Sequence, residues 1–170
     1  TALALLQARQ EQLANFSVFC NHVLTPPAMR HLLAAGDAVQ LDGFIGPSHV
    51  STVIGSAPYA AVAEEFAKPV VIAGFEPLDV LQAVAMLVEQ INQGRTEVET
   101  QFTRAVTHEG NQKARERVAQ TMVLRDSFEW RGLGQVPHSA LAIHPDFADF
   151  DAELRFALPY RHVPDHKACE

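Results

Sequence analysis

Pro69-Val70-Val71-Ile72-Ala73 runs straight into Gly74-Phe75-Glu76-Pro77-Leu78-Asp79. The first five residues are apolar and rich in β-branched side chains, the composition of a strand buried on both faces. Pro77 suits the first turn of a helix, which places Glu76 at its N-cap. Leu78, Leu81, Val84, Leu87, Val88 and Ile91 recur at helical spacing, which predicts the buried face of that helix, and Gly94 ends it. Strand, polar loop and helix in this order make one half of an α/β crossover unit.

The same order appears upstream. Phe44-Ile45 reads as the core of a strand, Gly46-Pro47-Ser48-His49-Val50-Ser51 as its loop, and Tyr59 to Phe66 as a helix. Before these, Ala2 to Ala14 has a helical stripe of Leu3, Leu6 and Leu13, and Phe16 to Cys20 reads as a short strand. Thr25-Pro26-Pro27 starts a helix that stops at Gly36. Further on, Val98 to Val106 alternates weakly, Gln112 to Val123 reads as a polar helix, and Ala140 to Ile143 as one more strand. The fold class predicted is α/β: an open, mostly parallel sheet with helices on both faces, a Rossmann-like three-layer arrangement with an irregular C-terminal tail. The division predicted is an α/β domain over 1–127 and an irregular extension over 128–170.

The 170 residues suffice for a core without staples, and a charged fraction of 19% is ordinary for a globular chain. A net charge of −7 argues against nucleic acid or an anionic membrane as partner. Arg104, Lys113, Arg115, Arg117 and Arg125 read as a solvated helix face rather than a binding patch. The two cysteines, Cys20 and Cys169, make no disulfide framework, which fits a reducing, cytoplasmic setting. No apolar run is long enough to span a bilayer. A helical pattern already under way at Ala2 and a tail without a stop signal suggest a piece of a longer protein.

In open parallel sheets ligands bind beyond the carboxyl ends of the strands. That edge gathers Cys20, Asn21 and His22 after the first strand, Ser48, His49 and Ser51 after the second, and Glu76 and Asp79 after the third. The candidate catalytic residues are His49, Glu76 and Asp79; the candidate cofactor-binding residues are Ser48, Ser51 and His22. His and carboxylates at one edge suit proton movement or metal chemistry. Blander roles stand beside these. Cys20 reads as a small buried core residue. The serines suit free amides at a helix start, and the carboxylates suit the positive end of a helix dipole. His49 caps nothing. No GxGxxG, Walker A or GxSxG motif is present. Trp130-Arg131-Gly132-Leu133-Gly134 reads as a tight turn with an aromatic anchor. His162, Asp165, His166 and Cys169 have metal-like spacing but fall short of a closed site, so no metal ligands are assigned.

GPSHVSTVIG (46–55) and AGFEPLDVLQ (73–82) resemble the HypD family of [NiFe]-hydrogenase maturation proteins, as do NFSVFCNHVLTPPAM (15–29), EWRGLG (129–134) and HPDFADFDAELRF (144–156). Five segments in order cover nearly the whole chain. The resemblance implies a scaffold that works with the small protein HypC. On it iron acquires cyanide, supplied by HypE and HypF, and carbon monoxide. It also implies two similar α/β domains and a [4Fe-4S] region. The family's CGGHTH, GPGCPVC and GFETT motifs are absent here and would lie upstream of Thr1; the cluster region would begin near Cys169. The chain resembles the second α/β domain plus a connecting tail, a metallocentre-assembly segment expected to hold no cofactor by itself, with enzymatic activity of the segment left open. Two other classes stay open on the residues alone: a self-standing hydrolase-like α/β enzyme using His49 and Glu76 as base and acid, and a plain protein-docking domain.

Overall fold

A computed structural model of the chain describes residues 1–36 and 39–159. In chain order the elements are α1 (Ala2–Gln10), β1 (His22–Val23), α2 (Thr25–Leu33), β2 (Phe44–Pro47), α3 (Ser48–Ile54), a 3-10 turn (Ala57–Tyr59), α4 (Ala60–Phe66), β3 (Val70–Ala73), α5 (Pro77–Gln93), β4 (Val98–Thr100), α6 (Gln112–Thr121), β5 (Met122–Leu124), β6 (Ser127–Trp130), β7 (Gly134–Pro137), β8 (Ala140–Ile143), a 3-10 segment (Pro145–Phe150) and α7 (Ala152–Phe156). The chain forms two compact units, Met29–Arg115, and Thr1–Ala28 together with the chain from Glu116 onward.

The unit Met29–Arg115 is the α/β layer structure that the sequence predicts. Its sheet has the order β2-β3-β4, and both pairings are parallel. All four residues of the central strand β3 are buried. Val70 and Ile72 point to one face and pack with Met29, Leu33, Tyr59, Val62 and Val106, so α2, the 3-10 turn and α4 cover that side. Val71 and Ala73 point to the other face and pack with Ala83, Met86 and Leu87 of α5. The stretch read as a loop over 46–51 is instead the end of β2 and the first turn of α3, which follow each other directly; the register aligns Pro47 with Ala73, so the start of α3 and the loop after β3 leave from one edge. α5 starts with Pro77 in its first turn and closes on Gly94 at φ +66.

One helix is turned differently from its periodicity. Leu78, Leu81, Val84, Val88 and Ile91, predicted to be buried, are 78%, 65%, 40%, 49% and 40% exposed. The buried residues of α5 are Asp79, Ala83 and Gln90. Two polar side chains set this rotation. Asp79 is held by Gln101 and Arg104, and Gln90 donates to Glu99 (2.8 Å) and accepts from the Glu97 N–H (2.9 Å). A buried polar group left without a partner costs about 1–3 kcal/mol, so paired polar groups can outweigh the apolar stripe in setting a helix's angle.

The second unit is built differently. The strand expected over Phe16–Cys20 reduces to a single bridge, Val18 with Asp151. The first strand is instead β1, which pairs antiparallel with β8, as β5 does on the other side, in the order β1-β8-β5. Its core joins Leu5, Ala8, Cys20, Met122, Ile143, Phe147 and Phe150. β6 and β7 form a hairpin in which Trp130 faces Gly134. The Trp130 indole N–H donates to the Ser139 hydroxyl at 2.7 Å, the anchored turn read from EWRGLG.

Candidate functional site

The first turn of α3 and the loop after β3 meet through their aromatic residues. His49 stands exposed in the first turn of α3, and its ring lies 4.7 Å from that of Phe75, centroid to centroid. Phe75 immediately precedes Glu76, the N-cap residue of α5, whose side chain is 77% exposed. The start of α3 and the loop before α5 are therefore neighbours at one sheet edge. The contact that joins His49 to that loop is a ring contact and not a hydrogen bond to Glu76 or Asp79.

Asp79 has a more enclosed position. Its side chain is 7% exposed. Arg104 grips it with two nitrogens, at 3.1 Å to Oδ1 and 2.7 Å to Oδ2. Gln101 adds a donor to Oδ1 at 2.9 Å, and its carbonyl oxygen accepts the Gly74 N–H at 3.4 Å. Glu76 lies 3.6 Å from the same guanidinium, which rests 3.9 Å above the Phe102 ring. A bidentate Arg–carboxylate pair fixes direction as well as charge. A Cβ at Gly74 would overlap the Asp79 carboxylate and crowd Phe102, so the loop needs glycine for close approach.

The charge-assisted bonds from Arg104, and then those from Gln101, hold the Asp79 carboxyl below the usual carboxylate range against the opposing effect of burial. A depressed folded pKa stabilises the fold above the unfolded value of about 3.9, and that contribution is lost as pH falls through the folded value. Stability of the native chain, followed by urea unfolding, is expected to fall more steeply below about pH 4 than that of Asp79→Asn. Parallel pH profiles would contradict this coupling.

Ser48 and Ser51 are both fully buried. The Ser51 hydroxyl donates to the Pro47 carbonyl at 2.7 Å and lies 3.2 Å from the Tyr59 hydroxyl. Among the described residues Ser48 Oγ has no hydrogen-bond partner. Burial pushes the Tyr59 phenol above its ordinary range, so it stays protonated. Tyr59→Phe is expected to cost about 0.5–1.5 kcal/mol in urea unfolding, the net worth of one hydrogen bond, because Ser51 keeps its bond to Pro47.

His22 belongs to the other unit, on β1, where burial lowers its pKa. Cys20 is 2% exposed; burial raises its thiol pKa, and its sulfur lies 3.2 Å from the Leu141 carbonyl oxygen. It is a core residue, as its apolar flanks predict. Arg125, read as part of a solvated face, bonds the carbonyls of Leu141 and Cys20 and pairs with Glu153 at 2.8 Å. Arg104, read the same way, is the clamp on Asp79. Sequence offered one signal for that role, an arginine two residues beyond a phenylalanine on which it can stack. His162, Asp165, His166 and Cys169 lie outside the described residues. Among the described residues, no three His, Cys, Asp or Glu side chains gather as a metal site, and the lone buried thiol does not fit a cysteine-held cluster. None of the described helices is long and apolar enough to cross a membrane.

A family model described as HypD, "Hydrogenase formation hypA family", matches residues 1–170. The chain belongs to the HypD family. It is 62% identical over 174 residues to the hydrogenase expression/formation protein HupD of Azotobacter chroococcum, and 58% identical over 175 to the hydrogenase maturation factor HypD of Cupriavidus necator. Each of these alignments covers 100% of this chain and 46% of the relative. The HypD of Escherichia coli K12 is 42% identical over 165 residues, covering 97% of this chain and 44% of that protein. The chain thus spans about half the length of its HypD relatives, all of which are named for hydrogenase formation or maturation.

Proposed function

We propose that this chain forms one wall of a HypD scaffold on which an iron ion acquires cyanide and carbon monoxide for a [NiFe] hydrogenase, with HypC as partner and HypE as cyanide supplier. Maturation takes place in the cytoplasm on this reading. The iron group is cargo, held elsewhere on the scaffold. The observation that carries the reading is the meeting of GPSHVS and GFEPLD at one strand edge, through His49 and Phe75.

Each residue has a role set by its surroundings. His49 is exposed, with its ring braced on Phe75, so an imidazole N–H can donate to the nitrogen of an anionic ligand such as cyanide. Glu76 is the exposed carboxylate of the same edge and the proton acceptor of the pair. Asp79 holds Arg104 and stays ionised, so it orders the edge without exchanging protons. Ser51 fixes the β2–α3 turn from beneath, and Ser48 brings a buried hydroxyl to the same turn. His22 belongs to the other unit.

The test uses a full-length HypD into which this segment has been exchanged, produced in a strain lacking its own. The exchanged protein is expected to restore hydrogenase activity, and His49→Ala to lower it about tenfold or more, the worth of one hydrogen bond to a charged group. Undiminished activity with His49→Ala would remove His49 from the proposal.

A further inference from the structure

α5 turns its most apolar side outward. Leu81, Val84, Val88 and Ile91 follow one another at intervals of three, four and three, the spacing of a heptad seam. Leu78 extends the seam and Phe75, 64% exposed, caps it. From Leu78 to Ile91 the seam runs about 20 Å along the helix. On the sheet face that α5 covers, Ile45 of β2 is paired with Val71 and is itself 46% exposed. A row of large apolar side chains left exposed along one helix marks an interaction surface.

The charges around the seam narrow what covers it. Over its 17 residues α5 carries two charged side chains, Asp79 and Glu89, and no Lys or Arg. Asp79 is taken up by Arg104, and Glu89 accepts from Gln93 at 3.0 Å. Surfaces that meet by diffusion use charge for steering and carry polar rims, whereas permanent interfaces resemble a domain interior cut in half. This face is of the second kind. A second copy of the chain would set a net charge of −7 against itself. More than half of each relative's length, by contrast, lies outside the aligned region.

We propose that the part of the HypD polypeptide outside this chain covers the α5 seam permanently, through an apolar helix packed along Leu81, Val84, Val88 and Ile91. A 3.5-residue repeat selects a helix lying nearly parallel to α5, the geometry of ridges from one helix set in the grooves of another. The inference concerns packing and does not depend on the role given to His49.

Two proteins test it: the chain alone, and the chain extended with the flanking sequence of the Azotobacter chroococcum relative. Leu81→Asp and Val88→Asp are placed in each, and thermal unfolding is followed. In the chain alone, where these positions are exposed, Tm is expected to move by no more than about 2 °C. In the extended protein it is expected to fall by about 5 °C or more. Small shifts in both proteins would overturn the proposal, because the seam then stays bare. Large falls in both would overturn it too, because the seam is then already covered within this chain. A chain that sediments as a dimer and is made monomeric by Leu81→Asp would assign the face to a second copy instead.

Discussion

Ile72→Ala is expected to destabilise the chain by about 2–5 kcal/mol. Ile72 sits in β3, the central strand of the parallel sheet, with no exposed surface. It packs in one cluster with Met29, Leu33, Tyr59, Val62, Val70 and Val106. Its neighbour on β2 is Gly46, which brings no side chain to fill the space. Truncation removes apolar contacts and leaves a cavity that the flanking strands hold open. Domains are stable by about 5–15 kcal/mol, so the loss is a large share of the total. In urea the midpoint should fall while the slope stays constant. Val88→Ala, on the exposed side of α5, should change stability by no more than about 0.5 kcal/mol. Equal losses for the two variants would refute the rotation of α5 described above.

Gly74→Val is the second large effect, and it acts on the site. The backbone at Gly74 has a conformation open to any residue; what excludes a side chain is the Asp79 carboxylate and the Phe102 ring. Overpacking of this kind costs about 1–3 kcal/mol. The carboxylate must move to admit the valine, and it cannot then keep both bonds to Arg104 and the bond to Gln101. The variant is therefore expected to lose the steep decline in stability below about pH 4 and to follow the profile of Asp79→Asn. A variant that keeps the native profile would show that the clamp does not depend on the bare Gly74 backbone.

The elements that frame the site were legible in sequence, and the reason is local. β3 is a run of apolar residues between Pro69 and Gly74, and α5 opens at Pro77 and closes at Gly94. Such signals need no distant partner. The angle of α5 does need partners, because Asp79 and Gln90 turn inward toward Arg104 and Glu99, which lie beyond the helix in the chain. The stripe of leucine and valine gave no warning of this. β1 pairs with β8, more than a hundred residues later, and at two residues it is too short to show any period. Arg104 and Arg125 looked like other surface arginines because their acceptors come from distant segments. Of the candidate residues, His49 stands in the first turn of α3, Glu76 at the N-cap of α5 and Asp79 in the first turn of α5, at the ends of paired parallel strands, whereas His22 lies in the antiparallel sheet of the other unit.

On the proposed function, the first turn of α3 and the loop before α5 work as one device, with Phe75 holding the His49 ring. The most direct measurement is a double-mutant cycle of His49→Ala and Phe75→Ala in full-length HypD, read as restored hydrogenase activity. Residues that act together do not contribute additively. The expected result is that each single change lowers activity and the double variant falls no further than His49→Ala alone. Losses that multiply independently, or a Phe75→Ala protein as active as the native one, would contradict it.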